Sequence, residues 1–190
     1  MTGVQKPFLM VVEDVFSLRQ GRALMATGRI ERGRVRAGDE VEIVGFGDCP
    51  TSRVTGIEAF PRSRVPEATA GMNVALLLPG TAGTVERGHV LAAPGSIAAH
   101  TAFVADLAPL SGEQGGTELS TGDTLAFHLH AAVVRGTVTL PGDLDTLRPL
   151  HTAAVTVTLE HPVALENGRP FAFRHHGRAA GTGTVVRLLR

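Results

Sequence analysis

Tryptophan and tyrosine are absent from this chain, and cysteine and lysine each occur once. Cys49, standing alone, cannot form a disulfide within the chain, which fits a reducing compartment. Lys6 is the sole lysine, so nearly all positive charge is arginine. Arginine suits planar partners such as phosphate and carboxylate, although a GC-rich genome choosing arginine codons explains the bias more simply. The formal net charge is +0, so no global field draws the chain onto nucleic acid or an anionic membrane. No apolar run approaches the roughly 20 residues that a spanning helix needs. The N-terminus lacks a basic start followed by an apolar stretch, so no signal peptide is expected. A soluble, cytoplasmic protein without membrane contact is the expectation. Sustained helical periodicity with caps is missing as well.

What remains is a pattern of short strands. Hydrophobic residues make up 43% of the 190 positions, with 23 Gly and 11 Pro spread along the chain. Phe8 to Phe16 and Leu24 to Ile30 read as strands joined by a turn at Gly21-Arg22. Val41 and Ile43 alternate with Glu40 and Glu42, a half-buried strand. Arg53 to Phe60 reads as one strand, Pro61 to Ala70 as loop, and Val74 to Leu78 as a continuous buried strand. Val85 to Leu91 closes the first unit. Pro94-Gly95 breaks the apolar period on both sides and places a boundary there, giving domains 1–93 and 94–190. Beyond it lie a strand at Thr101 to Leu107 and a long polar loop from Leu110 to Asp123. Leu125, Phe127, Leu129 and Ala131 then alternate with His128 and His130. Strands at Arg135 to Leu140, Phe171 to Arg174 and Thr182 to Leu189 are also expected. Val155, Val157 and Leu159, alternating with Thr156 and Thr158, give the best period-two run. The expected fold class is all-β: two small antiparallel β-barrels in tandem.

Several ordered motifs carry a specific resemblance. They are Lys6-Pro7-Phe8, Glu13-Asp14-Val15-Phe16-Ser17, Thr27-Gly28-Arg29 and Glu31-Arg32-Gly33. Thr55-Gly56-Ile57-Glu58, Gly71-Met72-Asn73-Val74 and Glu86-Arg87-Gly88-His89-Val90-Leu91-Ala92 follow in the first half. His161-Pro162-Val163-Ala164-Leu165 and Phe171-Ala172-Phe173-Arg174 stand in the second. The chain resembles domains two and three of the elongation factor Tu family, the translational GTPases that carry aminoacyl-tRNA. The resemblance implies a translation-factor domain-two barrel followed by a domain-three-like barrel. A phosphate-cradling Gly-rich loop ending in Gly-Lys-Ser/Thr is lacking, as are Asp-x-x-Gly and Asn-Lys-x-Asp motifs, so GTP hydrolysis in the family's manner is not expected.

In that family, domain two holds the aminoacylated 3′ end of tRNA. The resemblance carries this role onto Asp14, Phe16, Leu18, Met25, Thr27, Glu58, Phe60, Asn73 and Leu77. The sequence departs from the family's pattern by one residue inserted near Arg19-Gln20 and by Pro61 where a basic residue is usual. The competing reading makes Phe16, Phe60 and Leu77 barrel core. Family domain three contacts the tRNA T-stem and the GTPase domain. Here Ala126, His130, Ala131, Ala132 and Val133 replace polar family positions, which argues against both contacts; loss of constraint, or a new apolar interface around Ala131 to Val134, would each explain it.

His128 and His130, two apart on a strand, could share a metal with His151 or His175-His176, but no Cys, Asp or Glu completes a ligand set. No metal or other cofactor is expected. Without a Gly-x-Ser-x-Gly elbow or a base near Cys49, no catalytic site is expected either. The partners expected are aminoacyl-tRNA or other RNA, a separate GTPase domain, or a second copy of the chain. The sequence thus reads as a stand-alone, non-enzymatic translation-related binding module. Its rival is a protein–protein interaction module without tRNA binding, either a divergent duplicate or half of a split factor.

Overall fold

A computed structural model describes residues 5–80, 82 and 85–189. The chain divides into two units between Ala98 and Ala99. The described residues form strands joined by turns and two three-residue 3-10 segments.

The first unit contains β1 (Leu9–Leu18), β2 (Ala23–Arg32), β3 (Arg34–Arg36), β4 (Glu40–Val44) and β5 (Thr51–Arg53). It continues with β6 (Gly56–Ala59), β7 (Ser63–Arg64), β8 (Glu67–Thr69), β9 (Asn73–Pro79) and β10 (Val90–Ala92). Eight strands form one sheet in the order β5-β4-β10-β1-β2-β9-β6-β7, while β3 pairs with β8. Edge strand β5 is joined to β6, near the opposite edge, through only Val54 and Thr55. The sheet must therefore curl on itself into a barrel. Backbone bonds mark the hand-over: Val54 N–H donates to Asp39 O at 2.9 Å, and Thr55 N–H donates to Leu77 O at 2.8 Å. This change of partner divides the expected Arg53–Phe60 strand in two. The expected loop at Pro61 to Ala70 holds β7 and β8, the latter fixed by an ion pair between Arg36 and Glu67.

The barrel core is filled by Met10, Val12, Ala26, Ile30, Ile57, Val74, Leu76 and Leu78. Burying such side chains removes apolar surface from water at about 25 cal/mol per Å². Neither Phe16, Phe60 nor Leu77 belongs to this core. Phe16 is 49% exposed and Phe60 73%.

The cause lies in one extra residue. Val12 pairs with Gly28, but Asp14 pairs with Thr27, so Glu13 bulges from β1. Side chains alternate faces along a strand, and one unpaired residue inverts that alternation. Met10 and Val12 point into the core; Asp14, Phe16 and Leu18 therefore point out. Gly28 is required opposite the bulge, since a Cβ there would overlap the Val11 carbonyl. Arg87 Nη1 donates to the Glu13 carbonyl at 3.2 Å and holds the bulge from outside.

The second unit contains β11 (Ala98–Pro109), β12 (Leu119–Ser120), β13 (Thr124–Leu129), β14 (Ala132–Thr139) and β15 (Thr146–Leu147). β16 (Ala153–Leu165), β17 (Pro170–His175) and β18 (Arg178–Leu188) complete it. Six of these close a barrel in the order β11-β16-β14-β13-β17-β18, and β12, within the expected loop at Leu110 to Asp123, pairs with β15. Four phenylalanines pack its interior: the Phe127 ring lies 5.7 Å from Phe171 and 6.4 Å from both Phe103 and Phe173. Val155, Val157 and Leu159 point inward, as their alternation requires.

Two expectations are corrected in this unit. β13 ends at Leu129, and His130 sits in the turn with φ of 55°. His130 therefore does not extend the strand face of His128. Its Nε2 contacts Ala164 O at 2.9 Å and its Nδ1 contacts Arg169 Nη2 at 2.7 Å, so both nitrogens are engaged. Among the described residues, no three His, Cys, Asp or Glu side chains are placed to hold a metal ion. The apolar run at Ala131 to Val134 does not form a surface either. Ala132 and Val134 are buried on the core face of β14, and Val133 alone is well exposed.

Candidate functional site

Four adjacent strands of the first barrel, β1-β2-β9-β6, present one continuous outer face. One row across them reads Asp14, Thr27, Ala75 and Glu58. The next reads Phe16, Met25, Leu77 and Gly56. On the other side of the first row, Asn73 pairs with Arg29, and Phe60 N–H approaches Asn73 O at 3.5 Å. Leu18 lies a step beyond Phe16, opposite Ala23. All nine residues singled out from the sequence thus fall on this face, spread over neighbouring rows.

A cleft of about 220 Å³ opens there, lined by Phe16, Met25, Thr27, Glu58, Ala59, Phe60, Arg62 and Ala75. Phe16, Met25, Thr27, Glu58 and Phe60 are thereby brought together. Asp14, Leu18, Asn73 and Leu77 share the face but do not line the cleft. Small Ala75 and Ala59 leave its floor low, while Phe16 and Phe60 stand as apolar walls. The Thr27 hydroxyl donates to Asp14 O at 3.4 Å, tying β2 to β1 just past the bulge. Glu58 is half-buried and supplies the carboxylate. Such a cleft can clasp a flat, largely apolar group and hydrogen-bond its polar edge.

Arg62, not among the residues expected at the site, brings a guanidinium to the cleft from the turn after β6. That turn closes through Arg62 N–H donating to Ala59 O at 2.9 Å, with Arg62 at φ of 130°. The available signal was a basic residue one position beyond Pro61, displaced rather than lost.

The second barrel carries its own cleft, of about 470 Å³, which includes Asp123, Ala126, Arg135, Arg174, His175 and His176. Arg135 and Arg174 flank Ala126 on a single row of β14-β13-β17. Replacing a polar residue by Ala126 therefore clears space between two arginines. The His175 Nδ1 lies 2.8 Å from Thr117 Oγ1, and its ring stacks on His176 at 3.9 Å. Burial lowers the His175 pKa, the neighbouring His176 lowers it further, and Asp123 opposes both.

Comparison with known families agrees with this architecture. Residues 24–92 match the family model for elongation factor Tu domain 2, and residues 96–189 match that for the elongation factor Tu C-terminal domain. The bulged strand β1, with Asp14, Phe16 and Leu18, precedes the first matched segment.

Proposed function

The chain belongs to the elongation factor Tu family through its two barrel domains, and from that premise we propose that it is a non-catalytic translation-related module whose first barrel holds an RNA 3′ end. The carrying observation is the exposure of Phe16 and Phe60 on either side of a cleft; among the described residues of this barrel the other large apolar side chains are buried or half-buried. The terminal adenine lies between Phe16, Met25 and Phe60. Glu58 accepts a hydrogen bond from the base or ribose, and Asn73 on the adjoining row faces the esterified amino acid. Aromatic platforms contribute roughly 1–3 kcal/mol per stacked base. The family's GTPase domain also grips the ligand, so the barrels by themselves bind weakly.

Filter binding or fluorescence titration with aminoacyl-tRNA, uncharged tRNA and unrelated RNA tests this reading. Tighter binding of the charged tRNA supports it. Equal binding of all three defeats it.

A further inference from the structure

We propose that the turn at residues 86–89 is a proton-operated latch on the Glu13 bulge, holding β1 in the register that turns Phe16 outward while His89 is neutral and releasing it when His89 is protonated. The turn is stitched to β1 at the bulge and just before it. Val12 N–H donates to His89 O at 2.9 Å, Gly88 N–H donates to Val12 O at 3.0 Å, and Arg87 Nη1 donates to the Glu13 carbonyl at 3.2 Å. The turn's own shape depends on the imidazole. His89 N–H donates to Glu86 O at 3.2 Å, and Glu86 N–H donates back to His89 Nδ1 at 3.2 Å. Alternation with the core residue Leu91 puts the ring on the core face at the end of the barrel, in the same row as Val12. Gly45, next after the Val44–Val90 rung, leaves the space that the ring fills, since a Cβ there would overlap it. The Phe46 ring covers it with centroids 4.9 Å apart, and His89 is 7% exposed.

Because Nδ1 accepts, the neutral ring carries its proton on Nε2, which is buried without a partner among the described residues. The other tautomer would set Nδ1–H against the Glu86 N–H. Protonation sets donor against donor and also places a charge between Gly45 and Phe46, where nothing polar meets it. Leaving the pocket relieves both faults, and it carries Arg87, two residues back, away from Glu13. The elements packed around the ring bring other titratable groups: Glu13 and Asp14 on β1, Glu40 and Glu42 on β4, and Asp48 and Cys49 in the loop after β4, while β10 has none. Glu42 is engaged elsewhere, accepting the Gly95 N–H at 2.8 Å. Glu86, in the turn itself, is the charged group that acts on the imidazole, and its pull is smaller than the effect of burial, which lowers the His89 pKa from 6.5. The open latch therefore takes up the proton more readily than the closed one, so the latch is fully closed above 6.5 and opens as the pH falls from there.

The test is amide hydrogen exchange and NMR titration of the full chain from pH 8 to pH 5, with no ligand added, so its outcome does not depend on what the cleft binds. After correction for intrinsic rates, protection of the Val12 and Gly88 amides should be constant above 6.5 and then fall by up to about tenfold per pH unit down to the closed-state pKa, the slope of one proton. It should also lie at least about tenfold below that of the β9 amides, as a local opening requires. Protection equal to that of β9 means global unfolding alone and overturns the latch. The His89 ring signals should titrate at the foot of that slope, and a mismatch overturns the assignment even where a variant fails to fold. H89Q keeps an acceptor for the Glu86 N–H without titrating, so the slope should vanish; a slope that survives belongs to the neighbouring carboxylates and overturns the role of His89. Transmission to the bulge is read from the Asp14 amide and from the contact between the Phe16 and Met25 side chains. Both should change with the His89 titration in the wild type, and R87Q should show the acid form of both signals already at pH 8. If they stay unchanged in both proteins, the turn opens without moving β1, and the latch on the bulge is overturned.

Discussion

Phe16 and Met25 face each other across one antiparallel rung of β1 and β2, and both side chains line the same outer cleft. A cross-strand pair of this kind usually helps a sheet bury one face. Here Phe16 is left half exposed. Substitutions at this rung should therefore separate binding from folding.

Phe16→Ala and Phe60→Ala should each change stability by no more than about 0.5 kcal/mol, as exposed positions generally do. Each should weaken binding of an adenosine-ended RNA by about tenfold, the lower range for a stacked base. Denaturant midpoints and anisotropy titrations read the two effects independently. A large loss of stability without loss of affinity would return these side chains to a structural role.

Gly28→Ala should behave in the opposite way. Its new methyl meets the Val11 carbonyl, a backbone atom without rotamer freedom. Overpacking of this type costs about 1–3 kcal/mol. Because the clash lies at the bulge, ligand binding should fall together with stability. Chemical denaturation beside the same titration checks both.

Phe127→Ala should destabilise the second barrel by about 3–5 kcal/mol, the usual cost of emptying an aromatic core position. Phe127 is fully buried and packs against Phe103, Phe171 and Phe173. Hydrogen exchange should show the loss of protection confined to β11 and β13–β18, with the amides of β1 and β2 unaffected.

Stability should decrease on acidification because of two buried histidines. His89 Nδ1 accepts the Glu86 N–H at 3.2 Å, and its buried Nε2 has no partner among the described residues. Protonation would destroy that acceptor and place a charge in the barrel. Burial therefore lowers the His89 pKa from 6.5, against a smaller opposing pull from Glu86. The unfolded chain takes up the proton first, so the stabilising contribution is complete above 6.5 and is lost from there down to the lower folded-state value. His175 acts in the same direction. Denaturant midpoints measured from pH 8 to pH 5 should be level at first and then decline. His89→Leu should flatten part of that decline.

Much of the fold was legible because barrel strands write their burial into alternate residues. Val155 to Leu159 needed no other information, whereas the unbroken apolar run from Val74 to Leu78 hid the fact that Val74, Leu76 and Leu78 face the core and Ala75 and Leu77 the outer sheet face. The set of residues on the candidate face was legible too, though only through resemblance; periodicity would have sent Phe16 to the same side as Met10 and Val12. Nothing in Glu13 itself announces a bulge, which is a relation between two strands rather than a property of one. His130 misled for a related reason. The alternation with His128 was real up to Leu129, where a left-handed turn residue ended it. Arg62 was not legible because the turn after β6 delivers a charge from one position beyond Pro61, which no strand periodicity marks.

The Glu13 bulge also makes a statement about ancestry. Between Val12 and Asp14, a single-codon deletion would not merely shorten a strand; it would exchange the wet and dry sides of everything from Asp14 to Leu18. Directly after Leu18 the chain reaches the exposed Arg19–Gly21 turn, where length can change with little consequence. Related genes should accordingly show gaps scattered through the second place and none in the first, and a lineage that did lose the bulged codon should have surrendered the cleft at the same stroke.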